Sequence, residues 1–131
     1  MFEGIKVKRF AIASSVCALV WGSSVWAEGD AAAGATVFAQ CAACHAVGAG
    51  AQNSVGPVLN GVIGRPAGTY PSYRYSSAMR KSGLTWDEGT LKTYLKGPEK
   101  LLPGTKMVFP GLASDGDLAN VIAYLKQQPA E

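Results

Sequence analysis

Residues 41–45 read Cys41-Ala42-Ala43-Cys44-His45, and this stretch decides how the rest of the chain is interpreted. Two cysteines three positions apart, with a histidine directly after them, are the signature of covalent haem attachment. Each thiol adds to one vinyl group of the porphyrin, and the imidazole binds the iron. On a helix, Cys41 and His45 lie four positions apart and project toward the same face. The motif therefore predicts one haem c, attached through Cys41 and Cys44, with His45 on the iron.

A Cys-x-x-Cys pair has two other common uses, and the rest of the chain disfavours both. A thioredoxin-like redox pair belongs to a βαβ unit, and no strand pattern precedes Cys41. A closed zinc site needs four ligands. The chain has three Cys and one His, and Cys17 lies far from the motif in an apolar N-terminal segment. We therefore favour haem attachment over a redox dithiol or a zinc site.

The N-terminal segment predicts export from the cytoplasm. Its basic residues are Lys6, Lys8 and Arg9. A mostly apolar stretch at 10–25 follows, and the small residue Ala27 precedes the acidic Glu28. This pattern predicts a secretory signal peptide at 1–27, a mature domain at 28–131 and a periplasmic location. An uncleaved membrane anchor would need about 20 apolar residues. The apolar run is shorter than that, so we expect no stable membrane insertion.

Length and charge fit one small domain and do not suggest a nucleic-acid partner. The chain has 131 residues, with 12 Lys and Arg against 9 Asp and Glu, and a formal net charge of +3. Part of the basic excess lies in the predicted signal peptide, so the remaining domain is close to neutral. A chain with 16 Gly and 7 Pro has a thin core of its own. We expect a monomer whose folding is coupled to haem attachment, as metal binding is coupled to folding in small metalloproteins.

The remaining sequence predicts an all-α chain with long loops. Helices are expected from Asp30 to about Ala46, over 76–81, over 85–96 and from Ser114 to about Pro129. Thr85-Trp86-Asp87-Glu88 has the pattern of a capping box, and Ser114 is a good N-cap residue. The last helix has apolar residues at i, i+3, i+4 and i+7, namely Leu118, Val121, Ile122 and Leu125. No alternating strand of useful length occurs.

The sixth iron ligand decides between electron transfer and ligand-binding chemistry. His45 is the only His, so a second histidine ligand from the same chain is excluded. Met107 follows the turn-forming residues Pro103 and Gly104, and such a loop can carry a side chain over the haem. Met79 lies in or near a short helix, where packing in the core is the favoured interpretation. A thioether ligand raises the reduction potential and closes the iron to oxygen and peroxide. We therefore predict Met107 as the second axial ligand.

The chain resembles a class I c-type cytochrome, of the soluble bacterial periplasmic and mitochondrial type. The resemblance covers essentially the whole mature domain. The segments that carry it are Gly34–Phe38, Cys41–His45, Gly56–Arg65, Tyr73–Ser76, Gly83–Trp86, Leu91–Leu95, Pro103–Met107 and Ile122–Lys126. The resemblance implies a cytochrome c fold, in which the N- and C-terminal helices cross and loops wrap around one covalently bound haem. At the crossing, Gly34 and Phe38 would meet Val121 and Tyr124.

The resemblance also implies roles in the haem environment. The Pro57 carbonyl would accept a hydrogen bond from the ring of His45, as partners of metal-binding histidines do. Tyr94 would reach the Met107 sulfur. Residues expected to hydrogen-bond or neutralise the haem propionates are Arg65, Tyr75, Trp86 and Thr105. Met79 departs from the pattern, since many relatives carry Asn at this position.

The function implied by the resemblance is electron transport, not enzymatic catalysis. The chain would shuttle electrons between a quinol–cytochrome c reductase and a terminal oxidase, a photosynthetic reaction centre or a periplasmic reductase. Cations expected around the exposed haem edge, for docking on acidic partners, are Arg80, Lys81, Lys96, Lys100 and Lys106. A peroxidase-like enzyme would need an open sixth site, and this chain has no second His to act there. A four-helix-bundle haem protein carries its attachment motif near the C-terminus, unlike this chain.

Overall fold

The computed structural model describes residues 28–130, so the predicted signal peptide at 1–27, with Cys17, lies outside the described residues. Five helices are formed: α1 (Ala31–Phe38), α2 (Ser77–Lys81), α3 (Glu88–Lys96), α4 (Pro98–Leu101) and α5 (Asp115–Lys126). The described part of the chain has one isolated β-bridge, between Pro66 and Thr85, and no strand. The predicted all-α class is therefore confirmed.

The first helix is shorter than predicted. Its N-terminus is capped by Asp30, whose carboxylate accepts hydrogen bonds from Ala32 N at 2.8 Å and Ala33 N at 3.3 Å. The helix ends at Phe38, because the next backbone amides donate to carbonyl oxygens three residues back instead of four, as in the 2.7 Å bond from Cys41 N to Phe38 O. Such tighter turns interrupt a regular α-helix. Two α-type bonds also occur here, from Ala42 N to Phe38 O at 3.0 Å and from His45 N to Cys41 O at 2.9 Å.

The third helix begins later than the capping box predicted. Asp87 is its N-cap, and the carboxylate accepts a hydrogen bond from Thr90 N at 2.7 Å. Thr85 is unavailable as a cap because it pairs with Pro66, while Trp86 N donates to Arg65 O at 2.9 Å. Helix α4, which was not predicted, begins directly afterwards with a proline in its first turn, a position where proline costs no hydrogen bond.

Helices α2 and α5 begin where the sequence predicted. Ser76 Oγ accepts from Met79 N at 3.0 Å to cap α2, and Ser114 Oγ accepts from Asp117 N at 3.2 Å to cap α5. Met79 is buried, as expected for a core residue. Serine hydroxyls satisfy amides that a helix start leaves unpaired, so both starts could be located from local sequence.

Helices α1 and α5 cross at a glycine, as the resemblance implied. A Cβ atom on Gly34 would lie 1.9 Å from the Asn120 carbonyl oxygen, so no side chain fits there. Next to the crossing, the rings of Phe38 and Tyr124 lie 5.2 Å apart. Asn120 Oδ1 also accepts from Asp30 N at 2.8 Å, which joins the start of α1 to the middle of α5. This crossing forms one end of the core that surrounds the cavity described below.

Candidate haem-binding site

A largely apolar cavity opens at the side of the helical core, with an empty volume of about 1320 Å³ including its open mouth. Every predicted site residue lines it: Cys41, Cys44, His45, Pro57, Arg65, Tyr75, Trp86, Tyr94, Thr105 and Met107. Two thiols, one imidazole and two thioethers therefore share one cavity whose walls are otherwise mostly hydrophobic. This donor set fits a covalently attached haem.

No disulfide joins Cys41 to Cys44. Both are partly buried, and both line the cavity. Burial raises the pKa of the Cys41 thiol, and the neighbouring Cys44 raises it further. Thiols in this state are available for thioether bonds to a ligand in the cavity. Within residues 28–130, no group of three or more His, Cys, Asp or Glu is arranged to hold a metal ion.

A hydrogen bond to the main chain of a nearby loop orients the His45 ring. Its Nδ1 lies 2.7 Å from the Pro57 carbonyl oxygen. A carbonyl oxygen accepts only, so the Nδ1 atom carries the proton and Nε2 carries the lone pair. Burial lowers the pKa of His45, although the hydrogen bond to Pro57 opposes this shift. The neutral imidazole, with Nε2 as a donor atom for a metal, is therefore the favoured form.

The loop that carries Met107 is attached to the rest of the molecule at two points. Inside the cavity, the Tyr94 hydroxyl lies 2.7 Å from Thr105 Oγ1, and Met107 N lies 3.4 Å from the same oxygen. At the surface, Lys106 Nζ donates to the Arg74 carbonyl oxygen at 2.5 Å. Tyr94 was expected to reach the Met107 sulfur. The hydrogen bond described for its hydroxyl joins it to Thr105, and either oxygen can be the donor.

Arg65 is a partly buried cation that has no acidic partner among the described residues. Its Nη1 donates to the Asn60 carbonyl at 2.6 Å and its Nη2 to the Val58 carbonyl at 3.3 Å. The guanidinium lies 4.9 Å from the centre of the Tyr70 ring. Burial lowers the pKa of Arg65, and Tyr75 and Tyr70 oppose the shift. All the ion pairs formed within 28–130 involve other cations, which are Lys92, Lys96 and Lys126.

The aromatic residues of the cavity pack in pairs. Trp86 and Tyr94 have ring centroids 4.9 Å apart, and Tyr73 contacts Tyr75 edge-on at 4.8 Å. The Tyr75 hydroxyl accepts from Tyr70 N at 3.1 Å, and burial raises the pKa of Tyr75. Such pairs bury large apolar surface while keeping polar atoms bonded.

Sequence reasoning missed the residues that hold the loop beside His45. Asn53 Oδ1 accepts from Val58 N at 2.9 Å, and its amide donates to the Pro71 carbonyl at 3.0 Å. Asn60 is almost fully buried and both accepts from Gly48 N and donates to Gly48 O. Gly56 lies against the His45 ring. The Gly-rich composition that predicted a loop could not indicate these partners, because the bonds span between 5 and 18 positions.

The predicted docking cations differ in their surroundings. Lys96 Nζ lies 2.8 Å from Asp115 Oδ1 in an exposed ion pair, so its charge is partly compensated. Lys106 lines the cavity mouth, together with the exposed apolar side chains of Val55 and Val108. The mouth therefore combines one cation with exposed hydrophobic surface. Within 28–130, no helix has the length and apolar character needed to cross a membrane.

Comparisons with known proteins all return cytochromes. The family model described as Cytochrome c matches residues 31–129. The chain is 52% identical over 122 residues to the cytochrome c2 of Rhodomicrobium vannielii, covering 93% of this chain and 98% of the relative. It is 54% identical over 103 residues to the cytochrome c2 of Rhodoblastus acidophilus, covering 79% and 96%. The solved structure of cytochrome cH from Methylobacterium extorquens is similar with a TM-score of 0.71 and 52% identity, covering 75% of this chain and 98% of that one.

Proposed function

The chain belongs to the cytochrome c family, and we propose that it carries single electrons between redox proteins of the periplasm through a haem ligated by His45 and Met107. Family membership confirms two of the sequence predictions: one covalently attached haem c, and an electron carrier rather than an enzyme. The identity of both axial ligands, the redox partners and the location are the parts that we propose.

The observation that carries the proposal is the state of His45. Its Nδ1 donates a hydrogen bond to the Pro57 carbonyl oxygen, so the Nε2 lone pair remains available to bind iron. The same cavity contains the Cys41 and Cys44 thiols, so the three residues of the motif act on one ligand. A bound haem supplies reversible one-electron exchange at its iron. His45 would hold the iron from one side, while the thioethers prevent loss of the group.

Met107 is the better of the two candidate thioether ligands. Both methionines line the cavity, but Met79 belongs to helix α2, where it is buried in the core. Met107 lies on a loop that Thr105 and Lys106 hold in place. Both attachments directly precede Met107 in the chain, so they restrain the sulfur during oxidation and reduction, which favours rapid electron transfer.

Arg65 would compensate the anionic groups of the cofactor. Its guanidinium lacks an acidic partner in the described part of the chain and lines the cavity. A partly desolvated cation is most stable beside an anion. Tyr75, Trp86 and Thr105 line the same cavity and offer polar atoms for the same propionate groups.

For docking, we propose that the cavity mouth meets acidic faces of its partners. Lys106 supplies charge there, and Val55 and Val108 supply exposed apolar contact. Arg80, Lys81 and Lys100 would add to the positive field. The proposed partners are a quinol–cytochrome c reductase on one side and a terminal oxidase, reaction centre or periplasmic reductase on the other. We propose that the chain acts as a monomer after cleavage of a signal peptide at 1–27.

The ligand set is tested by the absorption spectrum of the purified oxidised protein. A methionine-ligated ferric haem has a weak charge-transfer band at the red end of the spectrum. We expect this band in the wild type and in Met79→Leu, and its loss in Met107→Ala. Carbon monoxide should bind the reduced Met107→Ala protein and not the wild type. A wild type that lacks the band and binds carbon monoxide contradicts the proposal.

A further inference from the structure

Gly56 lies directly against the imidazole ring of His45. A Cβ atom on Gly56 would be 2.4 Å from Cε1, 2.7 Å from Nδ1 and 2.8 Å from Nε2 of that ring. The two nitrogen distances are only slightly longer than the Cε1 distance. Such a Cβ would therefore lie above the face of the ring, because a position beyond its edge would be much farther from both nitrogens. The main chain at Gly56 thus covers one face of the imidazole.

The backbone at Gly56 is fixed on both sides. Gly56 N donates to the Cys44 carbonyl at 2.8 Å, and the next carbonyl, of Pro57, accepts from His45 Nδ1 at 2.7 Å. The amide of Val58 is held by Asn53 at 2.9 Å. A side chain at Gly56 could not be accommodated by moving this segment without breaking one of these bonds. The ring is therefore the group that would have to move.

Backbone conformation does not explain why this position is glycine. The positive-φ glycines of the described chain are eight others, and Gly56 is not among them. Its φ therefore lies outside the left-handed region that favours glycine. What excludes a side chain is the space that the His45 ring occupies.

We infer that Gly56 is a positioning residue that sets the plane of the His45 imidazole. The hydrogen bond to Pro57 O fixes the direction of the Nδ1–H bond, but a single hydrogen bond leaves the ring free to tilt about that bond. Contact with the Gly56 main chain across one face removes this freedom. The inference rests on the proposed ligation of the iron by His45, since the ring plane then determines the electronic state of the cofactor.

The test is proton NMR of the oxidised holoprotein, in which the shifts of the haem methyl groups depend on the plane of the axial imidazole. We expect Gly56→Ala to retain histidine and methionine ligation but to change the spread or order of the methyl shifts. Gly89→Ala in α3 is the matched control, because its new Cβ meets no atom closer than 3.5 Å. It should leave the methyl shifts unchanged. Methyl shifts in Gly56→Ala that coincide with those of the wild type would overturn the inference.

A second comparison covers the case in which Gly56→Ala does not fold. Asn53→Ala releases the hydrogen bond that restrains Val58, so the segment gains room to retreat. The double variant Asn53→Ala/Gly56→Ala is then compared with Asn53→Ala alone. Different methyl shifts support the inference, and identical shifts overturn it. The proposed function fails separately, if the wild type itself lacks the strongly shifted ring protons of an iron-bound histidine.

Discussion

The Tyr94 hydroxyl lies 2.7 Å from Thr105 Oγ1, so helix α3 holds the loop that carries Met107. Both residues line the cavity, and burial raises the pKa of Tyr94 while the Thr105 bond opposes that shift. The phenol is therefore neutral at physiological pH and available for hydrogen bonding. The position of the proposed sulfur ligand depends on this bond and on the hydrogen bond from Lys106 Nζ to the Arg74 carbonyl oxygen.

Removing the Tyr94 hydroxyl should loosen the Met107 loop. We expect Tyr94→Phe to lower the free energy of unfolding by about 0.5–1.5 kcal/mol, the net value of one hydrogen bond. Added imidazole should also displace Met107 faster, measured as loss of the red charge-transfer band. Tyr124→Phe is the control, since Tyr124 contacts Phe38 through its ring and lies away from the loop. Equal displacement rates in the two variants would contradict this role of Tyr94.

Removing the Arg65 charge should lower the reduction potential. A cation near the iron disfavours the more positive ferric state, so its loss stabilises that state. We expect a lower midpoint potential in Arg65→Gln, by spectroelectrochemistry, and a smaller change in Arg65→Lys, which keeps the charge but not the paired bonds to Asn60 and Val58. A midpoint in Arg65→Gln that is unchanged or higher than in the wild type would exclude an electrostatic role.

The cations Lys106 and Lys96 should differ in their effect on partner docking. Lys106 lies at the cavity mouth, whereas Lys96 is paired with Asp115 at 2.8 Å. We expect Lys106→Gln to slow second-order electron transfer from a quinol–cytochrome c reductase at low ionic strength, because rim charges act mainly on association rate. Lys96→Gln should have a smaller effect. Both differences should shrink as salt is added, and equal slowing by the two variants would argue against docking at the mouth.

The crossing of α1 and α5 should not tolerate a side chain at Gly34. A Cβ there would meet the Asn120 carbonyl oxygen at 1.9 Å. We expect Gly34→Ala to lower the free energy of unfolding by about 1–3 kcal/mol, the range for overpacking. Gly89→Ala, in an open part of α3, should instead stabilise by about 0.5–1 kcal/mol. Denaturant unfolding measures both, and a stabilised Gly34→Ala would show that the helices separate easily.

Acid should remove the contribution of the α3 cap. The hydrogen bond from Thr90 N lowers the pKa of Asp87. A carboxylate whose pKa is lower in the folded state stabilises the fold above its ordinary pKa, and the contribution is lost as pH falls through the lowered value. Asp87→Asn keeps an acceptor but cannot titrate. Thermal unfolding should show that wild type and variant differ at neutral pH and converge in acid. A constant difference would contradict a titrating cap.

Much of the site could be predicted because its chemistry is local. The five residues 41–45 specify haem attachment without any tertiary contact. The starts of α2 and α5 depend on single serine caps, Ser76 and Ser114. The predicted start of α3 was wrong because a distant segment of the chain bonds to the backbone groups there. The Thr85 capping box failed because residues 64–67 pair with 84–86, and local periodicity contains no information on that pairing.

The sequence by itself determined the cofactor and the helical class, because these follow from a motif and from the spacing of apolar residues, whereas most residues around the cavity were implied by the resemblance to c-type cytochromes. The resemblance also implied the hydrogen bond between His45 and Pro57, which the structure contains. Only the tertiary structure showed that Gly56 lies against the His45 ring and that Tyr94 is bonded to Thr105. Each partner lies about 11 positions or more along the chain from the other. Contacts over such separations are selected by packing of the whole domain, and only the folded chain shows which acceptor each donor reaches.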